Sequence, residues 1–170
     1  MQVSARADYA LRACVVLASA GDVAMSAEVV AMRADLPGKF VEAILTKLRQ
    51  ARIVTTQRGP GGGCRLARPA SDITATEIIE AVDGPIGYVR GLDPKFLDYA
   101  DHAPHLGTMW ADVGDLMRQH LDHVTLDDLV NGHAAGVRPQ GVGRPGEHRS
   151  GTAQRSPEVS ADIVSHRSDT

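Results

Sequence analysis

Lys39, Glu42 and Thr46 stand three and four residues apart, a spacing that lines side chains along one face of a helix. A cation, a carboxylate and a hydroxyl on one face suit the reading of DNA. Lysine reaches a base edge or a phosphate, glutamate accepts a hydrogen bond from the cytosine amino group, and threonine touches either a base or the backbone. Further on, Arg58 opens the run Arg58-Gly59-Pro60-Gly61-Gly62-Gly63-Cys64-Arg65-Leu66. A guanidinium at such a tip can enter a narrow A·T-rich minor groove. The backbone of Gly59, Gly61, Gly62 and Gly63 can approach phosphates without side-chain obstruction. Ser26, Phe40, Ala43 and Lys47 complete the candidate DNA-contacting set.

These residues need elements to position them. Ser4 can cap a helix running to about Ala20, with Tyr9, Ala13, Val16 and Leu17 at helical spacing and Gly21-Asp22 to end it. Ser26 caps a short helix, Ala27 to Ala34, that offers Val29, Val30 and Met32 to the core. After the turn Asp35-Leu36-Pro37-Gly38, a third helix is expected from about Lys39 to Ala51, its apolar stripe being Val41, Ile44, Leu45 and Leu48. Two short helices joined by a tight turn, the second polar on its outer face, make a helix-turn-helix. That outer face must be slender to enter a major groove roughly 12 Å wide. Ile53-Val54-Thr55 and Cys64-Arg65-Leu66 then read as the strands of a hairpin wing over residues 53–67.

Thr74-Ala75-Thr76-Glu77 fits a capping box, opening a helix that turns Ile78, Ile79 and Val82 inward until Asp83-Gly84-Pro85. Residues 86–105 show no clear period and are expected to form a loop with one short helical turn. A regular helix follows from about Thr108 to His123. Its near-heptad face carries Met109, Trp110, Val113, Leu116, Met117, His120 and Leu121, a seam suited to a second copy of the chain. Thr125 caps a last short helix, Leu126 to Val130, and the Gly-, Pro-, Ser- and Arg-rich remainder reads as disordered. The fold class is therefore mainly α with a small β-wing. A winged helix-turn-helix domain spans 1–85, a loop 86–107, a dimerisation helix and closing segment 108–132, and a disordered tail 133–170.

The 170 residues are 43% hydrophobic but only 4% aromatic, so the core must be built from Leu, Val, Ile and Ala. No apolar run is long enough to span a membrane, and Met1 to Arg6 lacks the layout of a secretory signal. Cys14 and Cys64 form no disulfide framework and suit a reducing cytoplasm, the expected location. The net charge of −3 conceals an asymmetry: residues 1–70 hold ten Lys and Arg against five Asp and Glu, whereas residues 71–132 hold three against twelve. Only the first half should face a polyanion.

Other chemistries fit less well. The glycine run is no phosphate loop, because no Lys-Ser/Thr follows it and it lies between strands. His102 and His105 with Asp98 and Asp101 offer metal-ligand types, but such a group reads more simply as a solvated loop. His120 reads as a packed histidine. Cys14 reads as an inert buried thiol, while a redox role for it and Cys64 stays open as an alternative. No catalytic triad or carboxylate pair is present, so the chain is not expected to be an enzyme.

Over residues 1–132 the chain resembles the Rrf-two family of winged helix-turn-helix transcriptional regulators, the IscR/NsrR-like type. Ser4 with Asp8-Tyr9-Ala10-Leu11-Arg12, Lys47-Leu48-Arg49 with Ile53-Val54, and above all Arg58-Gly59-Pro60-Gly61-Gly62-Gly63 with Arg65-Leu66 carry the likeness. Glu77 to Pro85, Trp110 and Thr125 to Val130 extend it. The resemblance implies a homodimeric transcription factor, with Lys39 and Glu42 on the recognition helix and Arg58 as the wing's minor-groove contact. Many members hold an iron–sulfur cluster through three loop cysteines, and residues 86–108 contain none. No cofactor is expected for that reason. Asp8 matches a position that supplies a carboxylate ligand in some relatives, and Cys64 replaces the usual aromatic after the wing glycines.

The expectation is thus a cytoplasmic, sequence-specific DNA-binding regulator, a homodimeric repressor acting on a palindromic double-stranded operator. Switching by thiol chemistry or by an unidentified small-molecule or protein effector is one alternative. A winged-helix module that binds proteins is the other.

Overall fold

A computed structural model describes residues 3–99 and 102–132; the tail over 133–170 lies outside the described residues. Six α-helices and one two-stranded sheet are present among them. Helix α1 (Ala5–Ser19) is capped by Ser4, whose hydroxyl accepts from the Ala7 amide. Its buried face is Ala7, Ala10, Ala13, Cys14 and Leu17. Four of these five side chains are small, which lets neighbouring backbones come close. α1 can therefore touch α2 (Ala27–Ala34), α3 (Gly38–Gln50), α4 (Ala75–Asp83) and α6 (Leu126–Asn131) at once. Tyr9 and Val16, expected inside, are half-buried at the edge of this core.

α2 buries Val30, Ala31 and Ala34, whereas Met32 is 73% exposed and does not join the core as expected. Asp35 ends the helix in the left-handed conformation, and the Leu36 amide returns to the Ala31 carbonyl at 2.9 Å. Arg12 of α1 reaches across to the Ala34 carbonyl and, at 3.1 Å, to that of Asp35, fixing the turn of the helix-turn-helix. α3 buries the four residues of its expected stripe, Val41, Ile44, Leu45 and Leu48. β1 (Val54–Gln57) pairs antiparallel with β2 (Gly63–Leu66), in a register that puts Thr56 opposite Cys64.

α4 opens with the full capping box of Thr74 and Glu77. Its neighbours are unusual in sequence distance: the Ala75 amide bonds Val124 O and the Leu126 amide bonds Ile73 O, both at 2.8 Å. That reciprocal stitch returns α6 to the core, where Leu126 is fully buried. Between them run a short 3-10 turn, Pro94–Phe96, and α5 (Leu106–Asp122), which starts two residues earlier than the periodicity suggests. No described helix is long and apolar enough to cross a membrane.

Candidate nucleic-acid interface

The face of α3 opposite its core stripe carries Lys39, Glu42, Ala43 and Thr46, all exposed. The Thr46 hydroxyl donates to the Glu42 carbonyl at 2.9 Å, leaving its lone pairs and methyl to face outward. Phe40 is 58% exposed and meets Tyr9 of α1 edge-on, with centroids 6.1 Å apart and planes at 77°. It borders an apolar cleft of about 470 Å³ between α1 and α3.

Two members of the candidate set are employed otherwise. Lys47 is half-buried and turned toward α4, its ammonium donating to the Val82 carbonyl at 2.7 Å. Ser26 accepts from the Val29 amide at 3.3 Å as the α2 cap. Its hydroxyl also bonds the Glu28 carboxyl and, with the Glu28 amide, holds that group below its usual range. A carboxylate at the start of α2 discourages a phosphate there.

The wing tip closes through a bond from the Gly62 amide to Gly59 O at 2.8 Å, so the Gly62 N–H is spent within the tip. Gly59 and Gly61, at φ 100° and 76°, have open space where a Cβ would stand. They are the glycines whose backbone stays free for close approach. Along the outer edge of β2, Met25 and Cys64 exchange two backbone bonds, of 2.9 and 2.7 Å, adding a third chain segment to the hairpin. A Cβ on Gly63 would lie 2.4 Å from the Met25 carbonyl atoms. Wing and helix-turn-helix are therefore one continuous body.

Charge separates this surface from the rest. Arg6, Arg12, Arg65, Arg68, Lys95 and Arg118 each have a carboxylate within 4.0 Å. Among the described residues Arg33, Lys39, Lys47, Arg49, Arg52, Arg58 and Arg90 have none. Lys47 is taken up by the Val82 carbonyl, and Arg90, in the loop before α5, lies over the Tyr99 ring at 6.0 Å. The other five belong to α2, α3, the chain just after it, or the wing. Unneutralised cations gathered on one part of a net-acidic chain make the electrostatic footprint of a polyanion site. Sequence reasoning missed Arg33, Arg49 and Arg52. Their positions at the C-terminal ends of α2 and α3 held the clue, but which arginines lack a carboxylate partner depends on tertiary structure.

Burial works against thiolate formation at both cysteines. It pushes the Cys14 thiol up to about 12, and Cys64 is also raised by burial, with Arg49 opposing. Neither is activated as the thiolate that thiol exchange uses. Among the described residues no group of three or more His, Cys, Asp or Glu is placed to hold a metal. Asp101 of the candidate His102/His105/Asp98 group lies outside the described residues. The donor set of this chain does not fit an iron–sulfur cluster.

α5 buries only Gly114. A Cβ on Gly87 would lie 2.6 Å from the Gly114 Cα, so glycine at both positions lets the loop and the helix touch backbone to backbone. This contact and Arg118, which bonds Glu80, mark the inward face of α5. Met109, Val113, Leu116 and His120 lie along a different face, about a quarter-turn or more away, with Leu116 68% exposed. Trp110, exposed, and Met117 and Leu121, half-buried, flank this stripe.

The family model described as "Rrf2: Iron-dependent Transcriptional regulator" matches residues 3–132. Rv1287 of Mycobacterium tuberculosis, whose name calls it an HTH-type transcriptional regulator, is 37% identical over 134 residues, covering 78% of this chain and 83% of that protein. The regulator CymR of Bacillus subtilis is 30% identical over 132 residues, covering 77% and 91%. Its solved structure, titled as that of a global cysteine regulator, superposes with a TM-score of 0.64 at 28% identity, covering 78% of this chain and 98% of that one. IscR of T. potens gives 0.63 at 27% identity, covering 78% and 88%. The fold is thus shared with proteins whose printed names are those of regulators rather than enzymes, and the chain belongs to the Rrf2 family of DNA-binding transcriptional regulators.

Proposed function

We propose that the chain acts as a homodimeric repressor without an iron–sulfur cluster, working in the cytoplasm on a palindromic operator. Each subunit lays the Lys39–Glu42–Thr46 face of α3 in a major groove, with Phe40 and Ala43 beside it offering apolar contact to thymine methyl groups. Arg58 enters the adjacent minor groove at the wing tip, and the backbone of Gly59 and Gly61 lies against phosphates. The α5 stripe joins the two subunits, since a twofold protein reads a twofold site. A dimer lying across an operator blocks access to it.

The grouping of Arg33, Lys39, Arg49, Arg52 and Arg58 without carboxylate partners carries this reading. Ten such cations per dimer set an upper bound of about −9 on the slope of log K against log salt. Arg58→Ala should weaken operator binding by about 1–3 kcal/mol, or about 5- to 150-fold, and flatten that slope by about 2 per dimer. Fluorescence anisotropy on operators enriched from a random pool reads both numbers. Salt-independent or absent DNA binding by the wild type would instead favour a winged-helix module that binds proteins.

A further inference from the structure

α4 ends at Asp83-Gly84-Pro85, and the proline leaves a gap in its terminal hydrogen bonding. The amides that would normally satisfy the Val82 carbonyl are those of residues 85 and 86. Pro85 has no N–H, and the Ile86 amide donates instead to Glu80 Oε1 at 3.0 Å. Lys47 fills the vacancy from α3, its Nζ 2.7 Å from Val82 O, with its charge at the negative end of the α4 dipole.

The other flank of the same turn holds α5. The Glu80 carboxylate receives both terminal nitrogens of Arg118, one at 3.2 Å and the other in a second, closer bond. Gly87 then meets Gly114 backbone to backbone. Asp83 is anchored by Arg6 at 3.0 Å and by the Ser4 hydroxyl. Residues 80–83 thus hold the recognition helix on one side and the seam-bearing helix on the other, through charge-assisted bonds.

We propose that this turn of α4 is a rigid coupler that sets the angle between α3 and α5, and with it the half-site spacing the dimer accepts. Lys47 and Glu80 are its positioning residues, and neither touches DNA. The inference rests on the dimeric DNA-binding reading, because only in a dimer does that angle become a separation between two recognition helices.

The test uses the full-length chain and its selected operator, together with duplexes carrying one base pair more or fewer between the half-sites. Lys47→Met and Arg118→Met should each lower the discrimination between correct and altered spacing by about threefold or more, with the salt slope unchanged. Lys47→Arg, which keeps a donor, should restore it. A Lys47→Met protein that keeps its spacing preference but loses about 2 from the salt slope would make Lys47 a phosphate contact and overturn the proposal. So would an Arg118→Met protein with wild-type spacing discrimination. Hydrogen exchange on the DNA-free proteins provides a separate reading. The α3 amides should exchange faster in Arg118→Met and in Glu80→Gln, although neither side chain bonds to α3. Unchanged α3 exchange in both variants refutes the coupler even if the wild type binds no DNA. Absent DNA binding with faster α3 exchange refutes the function but not the coupling.

Discussion

Replacing Gly63 by alanine should damage the wing where its second strand leaves the tip and meets Met25. The new methyl would stand 2.4 Å from both the carbonyl carbon and oxygen of Met25 and 2.9 Å from its nitrogen. All three are backbone atoms, so no side chain can swing aside. Met25 is held in place by its two bonds with Cys64. Relief of the clash requires those bonds to part, at about 0.5–1.5 kcal/mol each. The backbone of residue 63, at φ 153°, adds strain on the order of 1 kcal/mol. The expected cost is therefore about 2–4 kcal/mol, a large share of the stability of a domain this size. Gly61→Ala is the control: its φ of 76° imposes left-handed strain of about 1–2 kcal/mol, but no atom stands within 4 Å of the added methyl. Urea denaturation gives the two losses, and hydrogen exchange at the Met25 and Cys64 amides shows whether the bridge has opened. A Gly63→Ala protein within about 0.5 kcal/mol of wild type, with both amides still protected, would refute the reasoning.

Two further outcomes follow from burial. Cys14 ionises at about 12 in the folded chain against an ordinary value of 9.0, so the native state holds its proton longer than the unfolded one. Its contribution is fully present below pH 9 and is lost as pH rises toward 12, at about 1.4 kcal/mol per pH unit. Denaturation of Cys14→Ala should lack most of this alkaline decline, and an identical decline in both proteins contradicts the assignment. On α5, Leu116→Asp combined with Met109→Asp places two charges on the exposed stripe and should yield a monomer in sedimentation velocity, with Trp110 emission shifted to the red. A variant that sediments with a dimeric wild type would move the interface elsewhere.

The helical framework around the helix-turn-helix is legible in the sequence because its cues are local. Ser4, Ser26 and Thr74 cap the helices expected of them, and the stripe Val41, Ile44, Leu45 and Leu48 is buried. Boundaries moved where no side chain marks them. α5 begins at Leu106 behind His105, which makes no side-chain cap bond, and β1 runs through Thr56 and Gln57, paired with glycine and cysteine across the hairpin. What stayed illegible depends on contacts distant in sequence. Met32 sits on a helix too short for its period to separate an inward from an outward residue, and Ala31 and Ala34 fill the core in its place. From the sequence Lys47 reads as a groove contact because it shares α3 with Lys39, Glu42 and Thr46. Only the carbonyl stranded by Pro85, nearly forty residues later in the chain, shows where its ammonium goes. The wing's third partner, Met25, was likewise invisible, since a single-residue bridge leaves no alternating pattern.

In the proposed dimer, the outward stripe of α5 would tie operator occupancy to gene dosage. Folding leaves Met109, Val113 and Leu116 facing outward from their own subunit, and in the proposed assembly only another copy covers them. A lone subunit would grip a single half-site, whereas a pair engages two at the high effective concentration that tethering supplies. Below the dissociation constant of the pair, the operator-competent species falls as the square of the monomer concentration. Halving synthesis would then leave about a quarter of it, so a modest change in expression becomes a sharper change in repression.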